Sequence, residues 1–108
     1  DMTYFSFFPK SLKHQNLKIA IVFLHEPFRF EVWLAGYNKQ VQAKYWKLFK
    51  ESAWNKYQIV PTTTGADSIL ETILVDHPDF RDLDTLTEQI ETGTMQFIMD
   101  IEGFLSEH

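Results

Sequence analysis

The amino-acid sequence predicts an α+β domain ordered α-β-β-α-β-β-α, with a mainly antiparallel four-stranded sheet packed with helices. Three observations carry that prediction. Leu17–Leu24 is a nearly unbroken apolar run of strand length. After the His25-Glu26-Pro27 turn, Phe28–Leu34 alternates apolar and polar residues with period two. Gly36-Tyr37-Asn38 then stops that strand and opens a segment whose apolar residues recur at helical spacing.

Taken in order, Thr3–Gln15 reads as partly helical, with Pro9 marking a break or a new first turn. The first strand is apolar on both sides. Ile19, Ile21 and Phe23 lie on one face and Ala20, Val22 and Leu24 on the other, the pattern of a central strand covered twice. In the second strand Phe28, Phe30, Val32 and Leu34 point one way; Arg29, Glu31, Trp33 and Ala35 point the other. Asn38 caps a helix to about Ser52, with Val41, Tyr45, Leu48 and Phe49 as its apolar stripe. Lys39, Lys44, Lys47 and Lys50 occupy the opposite arc, with Trp46 at its margin.

Lys56–Val60 is a short third strand and Pro61–Gly65 a loop. Ser68–Asp76 alternates well enough to be a strand, although its Leu and Glu content also suits a short helix. Thr85 and Glu88 can form a capping box for the last helix, along which Leu83, Leu86, Ile90, Phe97, Ile101 and Phe104 step. Gly93 sits inside that helix at a cost of about 1 kcal/mol relative to Ala, which makes it a candidate kink.

Composition narrows the function classes. A chain of 108 residues is one domain, and 10 Phe, 4 Tyr and 3 Trp can build its core from few positions. There is no cysteine, so disulfides and thiolate metal sites are excluded. No apolar run approaches the roughly 20 residues of a membrane helix, and no signal-peptide pattern opens the chain. The expectation is a soluble, cytoplasmic protein with no membrane partner. Net charge is −5 and uneven, since Asp79–His108 holds eight acids against the single base Arg81. That acidic end makes nucleic acid an unlikely partner, because a nucleic-acid footprint is a broad basic surface.

The segments Tyr4–Lys13, Phe28–Gly36, Asp67–Glu71 and Asp76–Phe80 resemble a small bacterial family of uncharacterised proteins, a domain of unknown function. The resemblance covers essentially the whole chain. It implies a helical segment upstream in longer members, which the abrupt aromatic start after Asp1 would fit, and it brings no activity or catalytic residue. The strand-then-helix stretch Phe28–Phe49 is also similar in order to accessory domains found beside restriction-type nucleases. A nuclease core of that type needs Glu-x-Lys, whereas Glu31-Val32-Trp33 places Trp where Lys would stand.

No catalytic residue, metal site or cofactor is predicted. His25, Glu26, Asp76, His77 and Asp79 are the only His and carboxylate groups that could converge on a metal, and their spacing matches no ligand motif. Gly-x-Ser-x-Gly and a phosphate-loop pattern are both absent. The candidate binding residues are Arg29, Glu31 and Trp33 on one strand face, with Trp46 and Lys47 on the helix. An Arg can hold an anionic group, a carboxylate can orient it and an indole can wall it. The function expected is a non-enzymatic interaction or ligand-binding domain, with a homo-oligomer or protein partner. A small enzyme using an Arg/carboxylate cleft, with Glu31 or Glu71 as base, is the alternative, and an accessory nucleic-acid module through the lysine arc is a third.

Overall fold

The chain starts as a strand. In the computed structural model, which describes residues 1–108, β1 spans Met2–Phe7 and pairs antiparallel with β2, Leu17–Leu24, placing Tyr4 opposite Val22. The expected helix over Thr3–Gln15 is therefore corrected. Tyr4, Phe5 and Phe7 are strand formers, and the free flank of β2 offers them a hydrogen-bonding ladder, which outweighs local helical pattern. Only Lys13–Gln15 is helical, as one 3₁₀ turn ending at Asn16 with φ 57°. Its entry is prepared at Pro9, whose carbonyl accepts from the Leu12 and Lys13 amides.

β3 (Arg29–Gly36), β4 (Gln58–Ile59) and β5 (Ser68–Asp76) complete an antiparallel sheet of order β1-β2-β3-β5-β4, so there are five strands where four were expected. β4 keeps only two residues of the expected Lys56–Val60, because pairing is confined to Gln58 with Glu71 and Ile59 with Leu70. β5 is a strand, and its ambiguous pattern has a cause. The β3–β5 register shifts between Phe30 and Glu31 and again between Leu34 and Ala35, which leaves Leu74 and Ile69 as extra residues on β5. Ser68, Ile69 and Leu70 are consequently all buried in succession, and strict alternation is lost.

Both helices lie on one face. α1, Lys39–Ser52, contributes Tyr45 and Phe49; α2, Leu83–Ser106, contributes Phe97, Ile98, Ile101 and Phe104. They pack on Ile19, Val32, Leu34 and Leu70, the cross-strand set on that side of the sheet. The face with Ala20 and Val22 carries no helix, so the expectation of a strand covered on both sides is corrected. Ala20 and Val22 are nevertheless buried. Their register neighbours explain this: Val22 lies between Tyr4 and Glu31, and Ala20 between Ser6 and Trp33. Tyr4, Glu31 and Trp33 on the flanking strands are larger than Ala20 and Val22 and shield them.

The caps fix where the helices begin. Asn38 accepts from the Val41 amide at 2.9 Å, as its position before α1 predicts. For α2 the cap is Asp82, which accepts from both the Thr85 amide and hydroxyl. Thr85 thus sits in the first turn and does not cap it, because an ionised carboxylate at Asp82 is the better acceptor for the positive helix start. α2 continues through Gly93. A Cβ there would meet Leu74 Cδ2 at 2.6 Å, so the glycine admits the residue that the β5 bulge turns inward.

Candidate functional site

Period-two alternation along β3 places Arg29, Glu31 and Trp33 on the helix-free face. Glu31 is only 5% exposed, and both of its oxygens are engaged. Arg29 Nε donates to Oε2 and Trp33 Nε1 donates to Oε1, each at 2.7 Å. A carboxylate buried this way needs such partners, since leaving it unpaired would cost several kcal/mol. The consequence is positional. Glu31 holds the Arg29 guanidinium by its Nε edge, and neither Nη atom has a hydrogen-bond partner in the protein.

Glu71 joins this group from β5, directly opposite Trp33. Ser68 Oγ donates to its Oε2 at 2.8 Å, and Oε1 makes no hydrogen bond. Burial pushes the Glu71 carboxyl above the usual carboxylate range, and the nearby Glu31 charge adds to this, while Ser68 and Arg29 pull the other way. Arg29, Glu31 and Glu71 line one side of an open cleft of about 590 Å³, and Lys56, Tyr57 and Gln58 form the other.

That second wall is anchored to α2. Tyr57 donates its hydroxyl to Asp100, Lys56 Nζ pairs with the same carboxylate at 3.1 Å, and Gln96 donates to it at 2.9 Å. Burial alone would raise Asp100, but hydrogen bonds from Tyr57, Lys56 and Gln96 with the Lys56 charge outweigh it and hold the group low. The Tyr57 phenol is pushed well up, by burial first and then by Asp100. Sequence reading gave no sign of this cluster, because Tyr57 and Asp100 lie 43 residues apart. Glu71 was legible only as one of two candidate bases.

The other two candidates are elsewhere. Trp46 lies on α1, on the far side of the sheet, with Nε1 donating to the Val60 carbonyl at 2.8 Å and Lys50 Nζ 4.5 Å above its ring. It packs against the core and ties α1 to the end of β4. Lys47 is exposed on α1 without an ion pair. The lysine arc is also depleted at one end, since Lys39 Nζ donates to the Thr63, Gly65 and Ala66 carbonyls and pairs with Asp67. The five candidates therefore form one cluster of three and two separate positions.

His25, Glu26, Asp76, His77 and Asp79 assemble no group of three that could hold a metal ion. His25 bonds Thr3 and His77 lies beside Asp76. The Thr62-Thr63-Thr64 run is a turn closed by a Thr62–Thr64 hydroxyl contact at 2.6 Å. No helix is long and apolar enough to cross a membrane.

Fold and cleft together define a small α+β domain, an antiparallel sheet with helices on one face and a polar cleft on the other. The chain belongs to the family described as domain of unknown function DUF7000, whose match spans residues 1–105. No curated protein matches the chain, and no solved structure does.

Proposed function

We propose that this domain binds a small polar ligand carrying an anionic group, and that the Arg29–Glu31–Glu71 cleft receives it. The observation that carries this reading is the arrangement around Glu31. The carboxylate is fully used in holding Arg29, so its role is to aim a guanidinium whose two Nη groups remain available for a carboxylate or phosphate. Glu71 Oε1 supplies a second polar contact, accepting from an ammonium or, once protonated, donating to an oxygen. Trp33 stiffens the strand face and walls its other side. Saturation of Glu31 disfavours it as a base, and no His or Ser lines the cleft to act as nucleophile or proton shuttle. A cytoplasmic binding protein, rather than a nucleic-acid module, suits the net charge of −5.

Native mass spectrometry of the chain purified gently from its source tests this. The wild type is expected to retain a small molecule that Arg29→Gln loses while keeping its circular dichroism spectrum. Apo protein in both samples, or equal retention in both, would overturn the reading. One observation favours a second reading: the raised pKa of Glu71 suits a general acid or base in the same cleft. A retained molecule that is chemically converted by wild type but only bound by Glu71→Gln would select the enzyme.

A further inference from the structure

The two edges of the sheet are built differently. β4 ends one edge with two paired residues, Gln58 and Ile59, followed closely by Pro61. A very short strand beside a proline is a common protection against unwanted pairing. β1 ends the other edge with six residues, Met2–Phe7, and has none of these protections. It contains no proline, no charge and no register shift against β2. Tyr4 and Phe5 on it are 61% and 59% exposed, among the most exposed large apolar side chains of the molecule.

The ladder to β2 determines which backbone groups face outward. The His25 amide donates to the Asp1 carbonyl, so Asp1 and His25 form a hydrogen-bonded pair. Pairs alternate along an antiparallel ladder, which makes Thr3, Phe5 and Phe7 the residues bonded to β2. The amides and carbonyls of Met2, Tyr4 and Ser6 therefore point out from the free edge.

We propose that this edge is a homodimer interface, in which β1 pairs antiparallel with β1 of a second copy about a two-fold axis at Tyr4. The outward residues are spaced symmetrically about Tyr4, so Met2 meets the second copy's Ser6, Tyr4 meets Tyr4, and Ser6 meets Met2. Every outward amide then finds an outward carbonyl, giving about six new backbone hydrogen bonds. A two-fold places identical side chains against each other, which a charged strand would resist. The chain carries a net charge of −5, yet Met2–Phe8 is neutral, so self-pairing here brings no like charges together. Tyr4 packs on its own copy on the helix-free face, and the two Phe5 side chains lie diagonally across the axis on the helix side. The result is one continuous ten-stranded sheet. This inference is independent of the ligand cleft, which lies toward the other edge.

Sedimentation velocity across a concentration series, combined with amide exchange by NMR, tests it. Wild type is expected at twice 12.8 kDa, with the Met2, Tyr4 and Ser6 amides protected in proportion to dimer. Ser6→Pro removes one outward donor without touching the β2 ladder and is expected to weaken dimerisation at least tenfold. Tyr4→Lys leaves the backbone intact and sets two charges face to face at the axis, with the same expected result should the proline variant fail to fold. A wild-type monomer at all concentrations would overturn the proposal. So would a dimer that survives Tyr4→Lys, or one whose outward amides exchange freely.

Discussion

Glu71 is a carboxyl in a place that suits its neutral form, and this gives it a signature in the pH dependence of stability. Its unfolded value is close to 4.5 and its folded value is higher, chiefly through burial. Between the two values the folded chain holds more protons than the unfolded one. Stability therefore falls as pH rises through that window, and the full penalty remains above it. Glu71→Gln keeps the contact with Ser68 and removes the titration. Relative to wild type, the variant should gain stability steadily as pH rises from the unfolded value through the raised folded value. Urea midpoints at a series of pH values check this; a constant difference would mean that Glu71 is not perturbed. Asp100 has the opposite sign, because its folded value is lowered. Its contribution is present above 3.8 and is lost as pH falls through the folded value.

Close approach, more than propensity, determines where the elements can sit. Gly36 ends β3 where α1 turns back over it, and a Cβ there would stand 2.6 Å from the Gln42 amide nitrogen and 2.9 Å from its Cα. These are backbone atoms of a helix held by its cap, by Phe49 in the core, and by Gln42 itself. The Gln42 amide donates to the Ala66 and Ser68 carbonyls, so its buried side chain fastens α1 to the loop entering β5. Gly36→Ala is expected to cost about 2 to 3 kcal/mol, as overpacking against an immovable neighbour does. Gly93→Ala should cost far less, since its obstacle is the end of a flexible leucine side chain and alanine is the better helix former. Denaturant midpoints of the two variants test the contrast, and equal losses would refute it.

At the scale of the whole molecule, the exposed lysine charges and the fold are nearly independent. Lys44, Lys47 and Lys50 stand exposed on α1, and none is in an ion pair. Exposed charges of this kind contribute little to stability. A Lys44/Lys47/Lys50 triple alanine should unfold within about 1 kcal/mol of wild type in urea. A larger loss would show that the arc supports the fold through packing, most directly through Lys50 over Trp46. The sheet has stronger leverage at this scale. Its helix layer leaves Phe5, Phe7, Ile21 and Phe30 lining an apolar groove beside α2. The aromatic chain Phe23, Phe28, Phe30 and Phe80 extends that surface past the β2–β3 turn.

Local pattern alone determined the middle of this protein. Strand β2, strand β3, helix α1 with its Asn38 cap, and the shared face of Arg29, Glu31 and Trp33 all follow from periodicity and a few turn residues. These features depend on neighbours within a few positions, and short-range sterics decide them. Tertiary structure decided the rest. β1 is a strand because β2 had a free flank, a fact that lies beyond Pro9 and the 3₁₀ turn in the chain. Ser68–Leu70 breaks alternation because two register shifts turn Ile69 and Leu74 inward. The cleft exists because Asp100 on α2 reaches Lys56 and Tyr57, and because the sheet brings Glu71 beside Trp33. Such pairings are written in no local segment. They arise only when the hydrophobic faces of distant elements are buried together, and that burial chooses which polar groups meet.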